Sequence, residues 1–447
     1  MAELGRLLVA CFVAAIVAVP LTIGALGLNL AAQNVDRGPI RAHVLQAIAE
    51  GDFKGQMADA RGRARGADPW NDCAVMSLVL DQEGRRIERA LAPRWAPMGG
   101  ACSNLARTLR GEAVTDQRYP RYMHGLVAVA APLTALLPIS EARALLERMS
   151  IIAAVGLCGL ALVRMRGAAR REDRPLAIRA VFTLGAGVMF LLCFGLGDFG
   201  MTLTHFPTAM TLMGYVALGL MVDFGRQRPV YVLAAHAALG VLIIWFEFLT
   251  GGIVMAACLV LYMAAAWSRG LKDLGPAVRC LAALLTAVAT TYAVKMALTV
   301  AVIGRPVIED FRTNLATRVA GGEGFDPVDL FETASALLFH ARYVGAGSDA
   351  LGKILIVGSL IVMVWGLAVA ARRRLHGDAL VRPLLLGAAF AVTGAWHLLF
   401  FPHSEHHAWF MVRTMAGLIL PAGMLLIWLH RKELAATLTA VAGLMRR

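Results

Sequence analysis

RMRGAARREDRPLAIR, residues 164–179, bridges two apolar runs near 149–165 and 177–197. Arginines packed into so short a connection between spans mark the cytoplasmic side of a membrane, because short loops rich in Arg and Lys stay inside. Working outward, RQRP (226–229), RGLKDLGPAVR (269–279) and RRRLHGDALVR (372–382) repeat the pattern. The alternate short connections, GDFGMT (197–202) and FEFLTGG (246–252), carry no base at all. Two kinds of loop therefore alternate along the chain, and they fix an orientation.

A chain that is 58% hydrophobic and only 16% charged is not a soluble globule. The first apolar run, Leu7 to about Leu30, is too long for a signal-peptide core and ends without a small-residue cleavage site, so it reads as a retained span. Further runs near 149–165, 177–197, 205–222, 230–247, 251–268, 277–303, 353–371, 383–401 and 409–429 each approach the ~20 residues a bilayer requires. The expected fold is an all-α polytopic membrane protein of about ten transmembrane helices with both termini cytoplasmic. Its parts are a first span (1–31), a long folded external segment with an interfacial helix (32–148), spans two to seven (149–303), a second external loop (304–352), and spans eight to ten with a cytoplasmic tail (353–447).

The net charge of +13 is largely the topology signal, and no aromatic-interleaved basic module points to nucleic acid. The stretch 32–122 is different: it holds fourteen Arg and Lys on the side where the rule does not ask for them, which suggests an anionic substrate or lipid headgroup. Five of the seven cysteines lie in spans or at their ends, whereas Cys73 and Cys102 share the external segment, where a disulfide can form. No P-loop, Gly-rich dinucleotide fingerprint or Cys-x-x-Cys pair is present, which argues against ATP as energy source.

Nearly every unusual polar group falls on the expected outer side. DPWNDCAVMS (68–77) presents Asp72 at the start of a helix, as an acid–base group or as a cap. RYPRYMHG (118–125) brings Arg121 and His124, three apart, toward one helical face. GLGDFGMTLTHFPTA (195–209) supplies Asp198 and His205, and Glu247 ends the fifth span. Lys295 stands about eight residues inside the end of span seven, roughly 12 Å deep at 1.5 Å per residue, where a cation must snorkel or be paired. The second loop adds Glu309, Asp310, Arg312, His340, Arg342 and Tyr343. FFPHSEHHAWFMVR (400–413) closes the set, with His403 and His407 four apart, His406 between them, and Arg413. An i, i+4 histidine pair suits zinc, but no Cys or Glu-x-x-His partner completes a site. A divalent cation stays open beside two other readings, direct substrate contact and a hydrogen-bonded interfacial turn with Trp409 in the aromatic belt.

A first span, a long outer segment carrying an acidic residue, an interfacial helix and many further spans resemble the layout of the GT-C glycosyltransferases. PWND, RYPRYMHG, FEFLT and HSEHHAWFMVR also resemble motifs found in the same order in a group of bacterial multipass proteins. The resemblance covers most of the chain. It implies a bacterial inner-membrane enzyme that moves a sugar from a polyprenyl-phosphate donor to an envelope lipid or polysaccharide acceptor on the outer side. Asp72 would stand in the place of the family's base, with Asp36 in QNVDRG as its rival and Glu247 or Asp198 as helpers. Arg121, His124, His205, Lys295, His403, His406, His407 and Arg413 would bind the donor's headgroup. Two other classes fit the same residues: a transporter or flippase for an anionic lipid or glycolipid, and a non-catalytic component of an envelope assembly complex. Against the first stands the lack of two related halves and of ionisable groups near mid-membrane, His236 excepted.

Overall fold

The computed structural model describes residues 2–53, 69–96, 100–247, 251–320, 329–373, 377–431 and 433. It is helical apart from one antiparallel pair, β1 (Arg94–Trp95) with β2 (Gln117–Arg118). A long helix α1 (Ala2–Ala32) leads into a polar cap made of α2 (Arg37–Glu50), α3 (Pro69–Leu80), α4 (Arg86–Leu91), α5 (Ala101–Leu109) and α6 (Gly125–Leu136). The bundle continues with α7 (Ile139–Arg171), α8 (Arg174–Cys193), α9 (Phe206–Met221), α10 (Pro229–Phe246), α11 (Gly252–Trp267) and α12 (Leu274–Ile303). Next come α13 (Pro306–Ala320), α14 (Leu330–Phe339), α15 (Asp349–Arg372), α16 (Asp378–Leu399), the short α17 (Phe401–His406) and α18 (Ala408–Met411), and α19 (Ala416–Leu429).

Eight helical segments are long and apolar enough to cross a membrane, and they coincide with eight of the ten expected runs. This is a multipass membrane protein. The remaining two runs form α9 and α11, of 16 residues each. Helix α11 is apolar all round and buried along almost its whole length, as a helix in the middle of a bundle must be.

Helix α1 shows how the sequence sorts its faces. Ala10, Ala14 and Ala18 recur every four residues and pack against Leu233, Ala237, Ala283 and Ala287. Leu4, Leu8, Phe12, Ile16 and Ile23 point away and stay exposed. Small residues inward and large apolar ones outward is the arrangement that lipid favours, since backbones can then approach closely.

The two ends of the bundle differ. At one end Arg279 pairs with Glu3 at 2.9 Å, Arg269 with Asp223 at 3.2 Å, and Arg373 donates to the carbonyl of Leu429. These contacts gather the start of α1, α12 and α16 with the finish of α9, α11, α15 and α19, so the basic connections meet at a single end. The cap and the α13–α14 segment lie at the other. Helices α9 and α11, shorter than the eight long apolar segments, pack within the same bundle.

Within the cap, Cys73 and Cys102 form a disulfide, with Cα atoms 5.0 Å apart, that ties α3 to α5. Closing a loop of this size contributes about 3–4 kcal/mol in the chain-entropy account. The cap's arginines are mostly satisfied by its own acids: Arg94 by Glu83 and Asp116, Arg85 and Arg118 by Glu88, and Arg107 and Arg110 by Glu112. Lys54, Arg61, Arg63 and Arg65 of this stretch lie outside the described residues.

Candidate functional site

Asp72 stands in the first turn of α3 and is completely buried. Its Oδ2 accepts from Arg143 Nε at 2.8 Å and lies 2.7 Å from Arg143 Nη2, while Oδ1 accepts from the backbone N–H of Leu203 at 2.9 Å. Arg143 projects from the first turns of α7 and also donates to the carbonyl of Asp52. Both carboxylate oxygens thus join α3 to α7 and to the loop before α9. That geometry holds the fold and leaves the group poorly placed to take a proton from a substrate. It is also not the cap of its helix. Asp36, the rival, is exposed and caps α2 by accepting from Gly38 N–H at 2.9 Å.

Below the cap, residues from four elements form a buried polar floor. Arg413, in the 3-10 turn before α19, is 1% exposed and lies over the rings of Phe194 and Phe199 at 5.5 and 5.4 Å. His205, just before α9, meets Phe199 edge-on at 5.3 Å and Phe410 at 5.7 Å. His407 stacks on Phe410 at 5.0 Å and touches both His403, at 4.6 Å, and His406, at 4.7 Å. The three histidines are thus arranged around His407 rather than on one helical face about His403, because α17 ends at His406. His403 is buried and His406 exposed. Among the described residues no group of three or more His, Cys, Asp or Glu is disposed to hold a metal ion.

Glu247 follows α10 directly and is 1% exposed. Its carboxylate rests on the first turn of α11 beside Thr208, where any Cβ at Gly252 would collide with Glu247 Oε2 and approach Thr208 Cγ2. Gly251, at φ +94°, packs the same way against Thr414. The two glycines of FEFLTGG are therefore explained: they bring the start of α11 against Glu247 and the turn carrying Arg413. A helix N-terminus favours negative charge, which suits a carboxylate in that position.

A second cluster lies on the α12 side. Lys295 is fully buried, and its Nζ has no hydrogen-bond partner among the described residues. Arg121 pairs with Asp310 at 3.2 Å, and Tyr292 donates to the carbonyl of Arg121 at 2.6 Å. His124 adopts a left-handed conformation, φ +56°, and its Nε2–H donates to the Tyr119 carbonyl at 2.6 Å, so Arg121 and His124 do not share a helical face as expected. Asn29 holds this stretch in place by donating to the Met123 carbonyl at 2.5 Å and accepting from Trp245 Nε1 at 3.0 Å. Gly125 lies so close to the Trp245 ring that a Cβ would clash with it. Burial first, and the nearby charge of Lys295 second, push His124 well below the usual imidazole range, against the opposing effect of its bond to Tyr119.

A narrow cleft is lined by Trp70, Asn71, Tyr119, Tyr122, His407 and Phe410. PWND, RYPRYMHG and HSEHHAWF, far apart in the chain, thus meet in one place. Asp198 stands apart from them: burial and the charge of Glu147 raise it, and Arg342 opposes that shift. His340 is buried beside Phe339 and Tyr343. His236, inside α10, hydrogen-bonds Tyr215 and the Val232 carbonyl and is a satisfied core residue.

Sequence reasoning missed Arg143 and His397. The latter, 8% exposed at the end of α16, lies 3.0 Å from Ser404 Oγ and 2.8 Å from Thr414 Oγ1, steadying the turn that carries Arg413. An isolated histidine inside an apolar run was its available signal.

Comparison with protein-family models, with curated proteins and with solved structures finds no match to this chain.

Proposed function

We propose that this chain is an integral-membrane glycosyltransferase of the GT-C type, with ten crossings, both termini in the cytoplasm of a bacterium and the cap on the outer side of the inner membrane. It would move a sugar from a polyprenyl-phosphate donor to an envelope lipid or polysaccharide. The observation that supports this reading is the full burial of Glu247, Arg413 and Lys295 where the apolar bundle meets the cap. Ionisable groups are expensive there and are retained when they meet a charged ligand or a reacting atom.

In this reading Glu247, rather than Asp72, takes the proton from the acceptor hydroxyl. The acceptor oxygen bonds to the anomeric carbon as the carbon–oxygen bond to phosphate breaks, and the phosphate departs with the electron pair. Arg413, with His403 and His407 beside it, stabilises the departing charge. Lys295, with Arg121 and His124, grips the donor's phosphate from the α12 side, while the polyprenyl tail lies between helices. His205 positions the floor, and His406 faces solvent at its rim.

Purified protein in lipid nanodiscs, incubated with labelled polyprenyl-phosphate sugars and candidate acceptors, should deplete one donor and release polyprenyl phosphate. Binding without donor loss, across all sugars and acceptors tried, would favour a lipid transporter and contradict the transferase.

A further inference from the structure

The basic end carries a cleft that the transfer reaction does not use. It lies between the start of α10, the finish of α11 and the start of α12, and encloses about 240 Å³. Its apolar wall is formed by Val232, Leu233 and Trp267. Its polar rim holds Gln227, Ser268, Arg269, Lys272, Asp273 and Arg279.

The charges there are unevenly used. Arg269 is paired with Asp223, and Asp273 accepts from the backbone N–H groups of Arg269 and Gly270. Arg279 is held by Glu3. Lys272 has no ion-pair or hydrogen-bond partner among the described residues, and the hydroxyl of Ser268 is buried with none. The buried Ser268 hydroxyl thus lines the cleft without a partner, which is costly, and Lys272 is an exposed cation beside it.

The surroundings say what would receive them. Val230, Tyr231, Leu271 and Val278 flank the opening and are exposed apolar or aromatic side chains, the composition of a surface that meets lipid at headgroup depth. A basic pocket between membrane helices, with an apolar wall and an interfacial aromatic rim, matches a phosphate carried on acyl chains better than a soluble anion. The volume suits a headgroup, with the chains lying along the outer surface of α10 and α12.

We propose that this cleft is a binding site for an anionic phospholipid, whose phosphodiester is held by Lys272, Ser268 and Arg279. The assignment requires only that the bundle crosses a bilayer, so it stands or falls apart from the transferase reading.

The test is native mass spectrometry of the delipidated full chain, titrated with phosphatidylglycerol and with phosphatidylethanolamine of the same acyl chains. The expected result is one tightly held phosphatidylglycerol, preferred at least tenfold, with the preference reduced at least fivefold in Lys272→Glu and in Ser268→Ala. Lys272 is exposed, so an unchanged melting temperature in phosphatidylethanolamine nanodiscs should confirm that this variant folds. Equal retention of the two lipids, or an unaltered preference in both variants, would overturn the site. Inorganic phosphate at matched ionic strength should fail to displace the lipid; full displacement would make this a soluble-anion site and also overturn the proposal.

Discussion

At the basic end of the bundle charge is plentiful and mostly shallow, whereas beneath the cap, where the apolar bundle meets it, charge is sparse and deep. Glu3 and Arg6, for instance, pair with side chains 66% and 63% exposed, and Arg226 and Arg269, 68% and 44% exposed, both reach Asp223. Exposed pairs of this kind contribute about 0–1 kcal/mol each and are readily exchanged. Arg413, Glu247, His205 and Lys295 are each at most 1% exposed in an apolar bundle. Most charge at the first end carries little energy. Charge at the second costs several kcal/mol per uncompensated group, so it must be repaid by a fold contact or by function.

Asp72 and Arg143 offer the largest break in this comparison, because they are the buried pair assigned to the fold. Asp72→Ala should destabilise the protein by about 3–5 kcal/mol by stranding Arg143, measured as a fall in melting temperature in detergent. Removing both charges, in Asp72→Asn with Arg143→Met, should recover most of that loss and retain transfer activity. A refolded double variant without activity would return Asp72 to the role of base.

Lys295 is assigned the opposite way, to function at the expense of stability. Lys295→Met keeps the apolar stem, so it should melt at the same temperature or higher while binding donor about tenfold more weakly, or ~1.4 kcal/mol. Equilibrium binding of labelled donor to both forms measures this. Unchanged affinity would make Lys295 a packing residue.

The smallest expected effect concerns His124. Because its folded-state pKa lies below the ordinary 6.5, the unfolded chain binds a proton more readily. Its contribution to stability is therefore complete above about pH 6.5 and declines as pH falls below that value. Melting temperatures of wild type and His124→Phe between pH 7.5 and 5 should diverge in slope, with the variant flatter. Parallel curves would mean that His124 titrates normally.

Much of this scaffold was legible because apolar runs and basic connections are local signals. Eight long apolar helices follow from them, and the Cys73–Cys102 bridge was open because the two cysteines share one polar segment. Helix α7 begins at Ile139, ten residues before the apolar run, since SEARALLER is helical without being apolar. What periodicity cannot supply is the partner: Arg143 lies 71 residues from Asp72, and nothing near either announces the other. The same blindness hid the partners of Arg85, Arg94, Arg107, Arg110 and Arg118, which meet acids brought alongside by folding. RYPRYMHG was misread as a helical turn since the left-handed His124 is imposed by Asn29 and Trp245 from distant helices.

In the proposed reading the buried polar groups beneath the cap carry chemistry, with Glu247 as the base. Glu247→Gln preserves size and most hydrogen bonding, yet it cannot accept the acceptor's proton. In nanodiscs with labelled polyprenyl-phosphate sugar and acceptor, release of polyprenyl phosphate by Glu247→Gln should fall at least ~100-fold, with donor affinity and melting temperature close to wild type. Wild-type turnover in a folded Glu247→Gln protein would contradict the account.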